Sequence, residues 1–413
     1  MSDKKVLVYI DLNNENYFVG TLWSHFNRGK ETSDFEYSKE WLNNTKAFSL
    51  EPGLFFGSGK QVNPRQTPLF GSFGDSAPDT WGIILMRRYE NQIAKEENRN
   101  PHTLNEIDYL LYVNDYARQG ALRFKTENSK EFLYPGNLKS IPPLVNLVKL
   151  LDATEKIIDS EEKNSDLQLL LAPGSSLGGA RPKASVIDKQ GNLCIAKFPK
   201  KDDFTNNVLW EAVALTLAKN CGLNVQEWAL HKAGNKDVIV LKRFDRKGET
   251  RIPFLSAMSM LNAVDNDSQT HSYMDIADTI RQYGIAPKED LIELWKRIVF
   301  SILISNTDDH LRNHGFLYVN EGGWRLSPLY DVNPSNDNKN VLSTYITEYD
   351  NSQTLDLALE VSEYFDIRLE TAKNIIVDMK KQVALWKSVA KFCGLPKSEI
   401  EKMESAFKIN DKG

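Results

Sequence analysis

The sequence predicts an α+β fold. Two apolar stretches, "VLVYIDL" and "YFVGTLW", flank the polar turn "NNEN" at Asn13 to Asn16 and read as an opening hairpin. From Leu169 the chain has short strands and turns, and beyond Arg246 it becomes mostly helical. Strand-rich and helix-rich sections thus follow one another along the chain, unlike the strand-by-strand alternation of a parallel α/β sheet.

Element by element, the hairpin is followed by turn-rich chain to about residue 78. "DTWGIILMRRYENQIAKEENR" then has helix periodicity, and "TLNEIDYLLYVNDYAR" opens with Thr103 three residues before Glu106, the spacing of a capping box. A third helix is expected over Pro143 to Lys163, with the charged "DSEEKNSD" as a linker or exposed end. "KASVID" and "LCIAKF" read as strands around a turn at Gly191. A helix follows from about Asn206 to Asn220, then strands "VQEWALHK" and "DVIVLKRF" around "AGNK". The helical end includes "KEDLIELWKRIVFSILISN" and "RLETAKNIIVDMKKQVALWKSVAKFCG", interrupted by a strand pair, "GFLYV" and "GWRLS". These textures place domain limits at 1–163, 164–245 and 246–413. No internal repeat or low-complexity tract occurs.

With 413 residues, 41% of them hydrophobic, the chain can bury a sizeable core, and its size favours two or three domains. A formal charge of -5 supplies no basic field for a nucleic-acid duplex, so direct DNA binding is not expected. Cys194, Cys221 and Cys393 show no C-x-x-C spacing and read as reduced, buried thiols. Asp11 cuts the first apolar run before it reaches signal-peptide length, and Ile298 to Ile304 is too short to span a bilayer. A cytoplasmic location is the expectation.

The densest chemistry lies in "ISNTDDHLRNHGF", Ile304 to Phe316, where a polar cluster follows an apolar run. Asp308 and Asn313 stand five positions apart, and Asp331 follows the strand pair in "SPLYDVNP". One Asp to accept a hydroxyl proton, with Asn and a second Asp as hard oxygen ligands for Mg²⁺, is a phosphoryl-transfer layout. Taken alone, a D-x4-N step is more often a turn or a helix cap. Lys197, ending the strand "LCIAKF", is placed to hold phosphate, and Glu211 on the next helix to orient that lysine. A strand-edge lysine and a first-turn acid are their ordinary alternatives. "GSSLGGARPKAS", Gly174 to Ser185, could aim backbone N–H groups at phosphate, although it is neither a Walker A loop nor G-x-G-x-x-G. His310 and His314 offer a rival zinc reading by their i, i+4 spacing, but Leu311 stands where H-E-x-x-H has its glutamate.

In order and spacing, "SSLGGARPKA", "IAKFP", "RFDR", "NTDDHLRNHGFL" and "LSPLYDVNP" resemble the HipA family of serine/threonine kinases, toxin components of bacterial toxin–antitoxin systems. "APDTWGIILMRR" is similar to that family's N-terminal subdomain, so the resemblance covers most of the chain. It implies a protein-kinase-like two-lobed fold, with a β-rich nucleotide lobe, an all-helical catalytic lobe and an extra N-terminal α/β subdomain. It also implies ATP and Mg²⁺ as cofactors. Carried over residue by residue, Asp308 is the catalytic base, Asn313 and Asp331 are the Mg²⁺ ligands, and Lys197 holds the nucleotide phosphates. Ser176, Leu177, Gly178, Gly179 and Ala180 form the ATP-binding loop, and the backbone of Lys242, Arg243 and Phe244 faces the adenine. Asp309, His310 and Arg312 fix the catalytic loop and neighbouring phosphate, and His314 is structural. Ser176, with Ser175 as the alternative, is the autophosphorylation site. "SNTD" replaces His-Arg-Asp and "DVN" replaces Asp-Phe-Gly, both in keeping with the HipA-like pattern. The resemblance further implies a growth-inhibiting activity on a protein substrate, an aminoacyl-tRNA synthetase being one candidate, and a helix-turn-helix antitoxin as partner. The competing reading is a catalytically silent nucleotide-binding module that serves the antitoxin.

Overall fold

A computed structural model describes residues 3–63, 67–134, 141–171, 179, 181–265, 271–319, 322–337 and 339–407. Contacts divide the chain into two compact units, Met1–Lys201 with His231–Leu255, and Asp202–Leu230 with Ser256–Gly413. The division does not follow the chain in blocks. The helix Asn207–Asn220, expected beside the β-rich section, belongs to the second unit.

The first unit opens with β1 (Lys4–Leu12), β2 (Glu15–Asn27) and β3 (Lys30–Tyr37), joined in an antiparallel sheet of order β4-β3-β2-β1-β5 by β4 (Gln61–Val62) and β5 (Leu122–Lys125). The expected hairpin is present, with Leu12 opposite Glu15 and Asn13 and Asn14 at positive φ in a two-residue turn. β3 falls in chain expected to be turn-rich. Its inward positions alternate as Glu31, Ser33, Phe35 and Tyr37, and the first two are polar, so no apolar alternation shows. Glu31 earns that burial by accepting from Ser24 Oγ at 2.8 Å and from the N–H groups of Glu106 at 2.8 Å and Ile107 at 3.2 Å. That carboxylate helps start the helix Glu106–Tyr112, whose capping box is Asn105 with Asp108 rather than Thr103 with Glu106.

A second sheet holds β6 (Lys183–Ile187), β7 (Leu193–Lys197), β8 (Trp228–Ala233) and β9 (Lys236–Lys242) in the order β6-β7-β9-β8. Ala184, Val186, Cys194, Ala196, Val238 and Val240 share one core with Trp81, Leu85, Leu150 and Leu167, residues of the helices Thr80–Glu96, Leu147–Asp159 and Asn164–Leu171. The helix expected over Pro143 to Lys163 is present as Leu147–Asp159, led in by a 3₁₀ turn at Leu144–Asn146 and stopped at Ser160, which turns left-handed at φ 60°; a further helix, Asn164–Leu171, follows it.

Gly120 shows how tightly the segments of this unit interlock. Its φ is +71°, and a Cβ there would lie 3.2 Å from the Phe254 nitrogen. Its N–H donates to Asp245 Oδ2 at 2.8 Å and its carbonyl accepts from Arg246 Nη1 at 3.0 Å. Only glycine adopts that backbone at no steric cost.

The second unit is mostly helical. Asn207–Asn220 is buried along nearly all its length, and its Trp210 lies near Trp386 and Phe407, which stack at 4.1 Å. Tyr273–Tyr283 and Pro287–Ile304 follow, then the hairpin of Gly315–Val319 with Gly323–Leu326, then Leu355–Glu360, Leu369–Val383, Trp386–Phe392 and Lys397–Lys402. No helix among the described residues is long and apolar enough to cross a membrane.

Candidate active site

Pro287–Ile304 begins with proline in its first turn, runs into the core as an apolar cylinder and stops at Ser305, whose left-handed backbone (φ 50°, ψ 50°) ends the helix. The polar cluster therefore leaves the helix at a fixed point. It continues through Asn306 to His310 without regular structure and makes one 3₁₀ turn, Leu311–Asn313. His310 and His314 thus do not lie on one α-helical face, and the zinc reading loses its geometric basis. Among the described residues no three His, Cys, Asp or Glu side chains converge on a metal-sized site.

The loop is held from two sides. Asn306 Oδ1 accepts from the Asn333 N–H at 3.3 Å, the Ser305 carbonyl from Ser335 N–H at 3.0 Å, and the Thr307 carbonyl from Ser343 N–H at 3.0 Å and Ser343 Oγ at 2.8 Å. Thr344 N–H donates to the Asp309 carbonyl at 3.1 Å. The segment containing Asp331 is thereby laced to the segment containing Asp308. Tyr330, just before Asp331, donates its phenolic O–H to the Arg312 carbonyl at 2.6 Å. Asp331 itself has φ +54°, a left-handed backbone uncommon for an aspartate and a mark of a position fixed by its surroundings.

Asp308 is exposed between buried Thr307 and buried Asp309. Its carbonyl accepts from His310 N–H at 3.0 Å and from the Asn313 side-chain amide Nδ2 at 3.1 Å. That bond engages the buried Asn313 amide through its nitrogen, so Oδ1 is the atom that a cation could use. Asn313 and Asp331 supply the oxygen donors that Mg²⁺ prefers, and this ion usually keeps waters and substrate oxygens for its remaining positions. The residues present fit such an ion. His310 keeps Nδ1 without a hydrogen-bond partner among the described residues, while exposed Arg312 pairs with Asp265 at 2.7 Å.

Asp309, beside the expected base, is buried with three partners: the Tyr273 hydroxyl and Ser301 Oγ, the latter at 3.1 Å, donate to its Oδ2, and His314 Nε2 lies 3.1 Å from its Oδ1 as an ion-pair neighbour rather than a hydrogen-bond donor. Burial would raise its carboxyl, but His314, Tyr273 and Ser301 outweigh that and hold it below the ordinary value. Burial, followed by the Asp309 charge, pushes the Tyr273 phenol well above its ordinary range. His314 is fully buried against Asp309. Asn306, Ser301, Tyr273 and Tyr330 were not among the residues that the sequence singled out. Of these, Asn306 lies in the motif "SNTD" and Tyr330 in "LSPLYDVNP".

Lys197 ends β7 in the first unit, opposite Lys183 across the strand pair. Lys183 is buried and pairs with Asp79 at 2.6 Å, and its Nζ donates to the Gly179 carbonyl at 3.3 Å. Gly179 has φ +102°, which suits a tight loop. Ser175, Ser176, Leu177, Gly178 and Ala180 lie outside the described residues. Lys242 is opposite Cys194 on β7, so strand alternation puts its side chain on the other face from Lys197. The Arg243 guanidinium is buried against Asp245 and the carbonyls of Ala117 and Arg118, and the Arg243 N–H donates to the Leu193 carbonyl at 3.0 Å. Phe244 packs near Phe254. Glu211 is buried on Asn207–Asn220 in the second unit.

Comparison with known proteins adds to this geometry. The family described as HipA-like C-terminal domain matches residues 175–386. A Haemophilus influenzae protein described as "Putative kinase" is 28% identical over 180 residues, 38% of this chain and 52% of that protein. A Sinorhizobium fredii protein, "Putative kinase Y4mE", is 26% identical over 329 residues, 72% of this chain and 71% of that one. The chain thus spans about half the length of the first relative. The fold is similar to a chain from the solved complex of the Shewanella oneidensis MR-1 toxin–antitoxin proteins HipA and HipB with operator DNA. The TM-score is 0.66 and the identity 16%, over 97% of this chain and 94% of that one.

Proposed function

This chain belongs to the family of HipA-like C-terminal domains, and from that premise we propose that it is a kinase of the HipA type, transferring the γ-phosphoryl group of ATP to a serine or threonine hydroxyl. The observation that carries the reading is Asp308, exposed between two buried residues on a loop bonded on both sides, with the Asn313 amide locked to its own carbonyl. A carboxylate so placed can accept a proton from an incoming hydroxyl. The hydroxyl oxygen bonds to the γ-phosphorus as the bond to the β,γ-bridging oxygen breaks, ADP leaves, and the proton passes to Asp308. Asn313 and Asp331 would hold Mg²⁺, which when bound neutralises charge on the phosphate oxygens. Lys197 is the proposed phosphate-holding lysine, and His310 a further polar contact. An exposed, held Asp308 favours an active enzyme over a silent nucleotide-binding module.

The reading extends to a growth-inhibiting toxin acting on a translation-related protein, with autophosphorylation at Ser176 or Ser175 as its control. A phosphoserine adds about -1.5 to -2 charge beside nucleotide oxygens already negative, which opposes ATP binding. The Shewanella neighbour was solved with HipB, which supports a partner of antitoxin type here. Incubation with γ-labelled ATP and Mg²⁺, followed by peptide mass spectrometry, tests the reading. Label is expected on Ser175 or Ser176, and Asp308→Asn should slow transfer by about 10² or more while folding is retained. Near-normal transfer by Asp308→Asn in a single turnover would show the base to be elsewhere.

A further inference from the structure

Asp309 was expected only in general terms, with His310 and Arg312, to fix the catalytic loop; the structure shows what its side chain does. Asp309 gathers Tyr273 from one helix, Ser301 from the next and His314 from beyond the 3₁₀ turn around one buried carboxylate. The Tyr273 and His314 rings meet edge to face at 5.3 Å, closing the pocket. The main chain is tied at the same points: Thr344 N–H to the Asp309 carbonyl at 3.1 Å, Tyr273 N–H to the Tyr345 carbonyl at 2.8 Å, and Ala257 N–H to the His314 carbonyl at 2.7 Å.

We infer that Asp309 is a positioning residue, whose buried carboxylate fixes the loop so that Asp308 projects outward and the Asn313 amide stays locked to the Asp308 carbonyl. Thr307 is tied upstream of Asp308 through its carbonyl, and Asp309 supplies the side-chain anchor downstream. A buried carboxylate with three partners has one orientation that satisfies them all, and leaving it would strand a charge in the interior. The loop therefore cannot rotate by one residue without exchanging Asp308 for Asp309 at the buried place. The inference rests on the kinase reading, since Asp309 touches no reacting atom and acts through Asp308.

The test compares Asp309→Ala and Asp309→Asn with the wild-type chain, with label from γ-labelled ATP followed to the protein itself or to casein, and thermal unfolding recorded for each. For Asp309→Ala the rate at saturating ATP should fall about 10- to 100-fold, the scale of an ångström-sized misplacement, with the half-saturating ATP concentration within about twofold. Asp309→Asn should recover to within about fivefold of wild type, because an amide oxygen still accepts from Tyr273 and Ser301. If the alanine variant does not fold, Tyr273→Phe removes one donor with little change of volume, and should show the same rate-specific loss at about threefold. Variants as active as wild type overturn the inference alone and leave the kinase reading standing. So does a loss that merely tracks the unfolded fraction, with asparagine no better than alanine. A folded wild-type chain that labels neither itself nor casein overturns the kinase reading, and the inference falls with it.

Discussion

Asp245 sits in the buried arginine network of the first unit, between Arg243 and Arg246. Burial would raise its carboxyl, but the two guanidinium groups outweigh that and hold it at about 2. A carboxyl whose folded value lies below its ordinary 3.8 stabilises the fold fully above that ordinary value. That contribution is lost as pH falls from about 4 through about 2. Urea midpoints should therefore drop between pH 6 and pH 3, and the drop should be smaller for Asp245→Asn. An equal drop in both would assign the acid sensitivity to other carboxylates. At this scale the sequence was partly legible. Asp308, Asn313 and Asp331 stand out by type and spacing, whereas Tyr273 and Ser301 reach Asp309 only through the folded helix pair and carry no local signature. "RFDR" was visible as a motif, but its use of arginine as an internal strut depends on carbonyls of Ala117 and Arg118, far upstream in the chain.

For whole elements, apolar period made the opening hairpin, the helix Thr80–Glu96 and the helix Asn207–Asn220 readable before the fold was known. β3 was not readable, because two of its inward residues are Glu31 and Ser33, made tolerable by partners from other elements: Ser24 and the first N–H groups of Glu106–Tyr112 for Glu31, the Pro68 carbonyl for Ser33. The same long-range carboxylate moved the capping box away from Thr103, since a helix starts where its free N–H groups find acceptors. Glu31→Ala should strand those donors and cost about 1–3 kcal/mol, read from urea unfolding. A loss below about 0.5 kcal/mol, the range of a neutral surface change, would mean that water replaces the carboxylate.

Taken whole, the chain carries a net charge of -5. Isolated, it should bind duplex DNA weakly and without sequence preference, because few phosphates can be neutralised by such a surface. A gel-shift series from 50 to 200 mM salt checks this, and tight sequence-selective retention by the chain alone would contradict it. The division into units bears on manufacture of the molecule. Helix Asn207–Asn220 belongs with residues that lie much later in the chain, its Trp210 meeting Trp386 and Phe407. On the ribosome that helix emerges early, yet its aromatic cover cannot pack on it until residue 407 has left the exit tunnel. The first unit has all its parts once residue 255 is out. Synthesis should thus pass through a stage with one folded unit and one exposed apolar helix, a nascent form that chaperones would recognise.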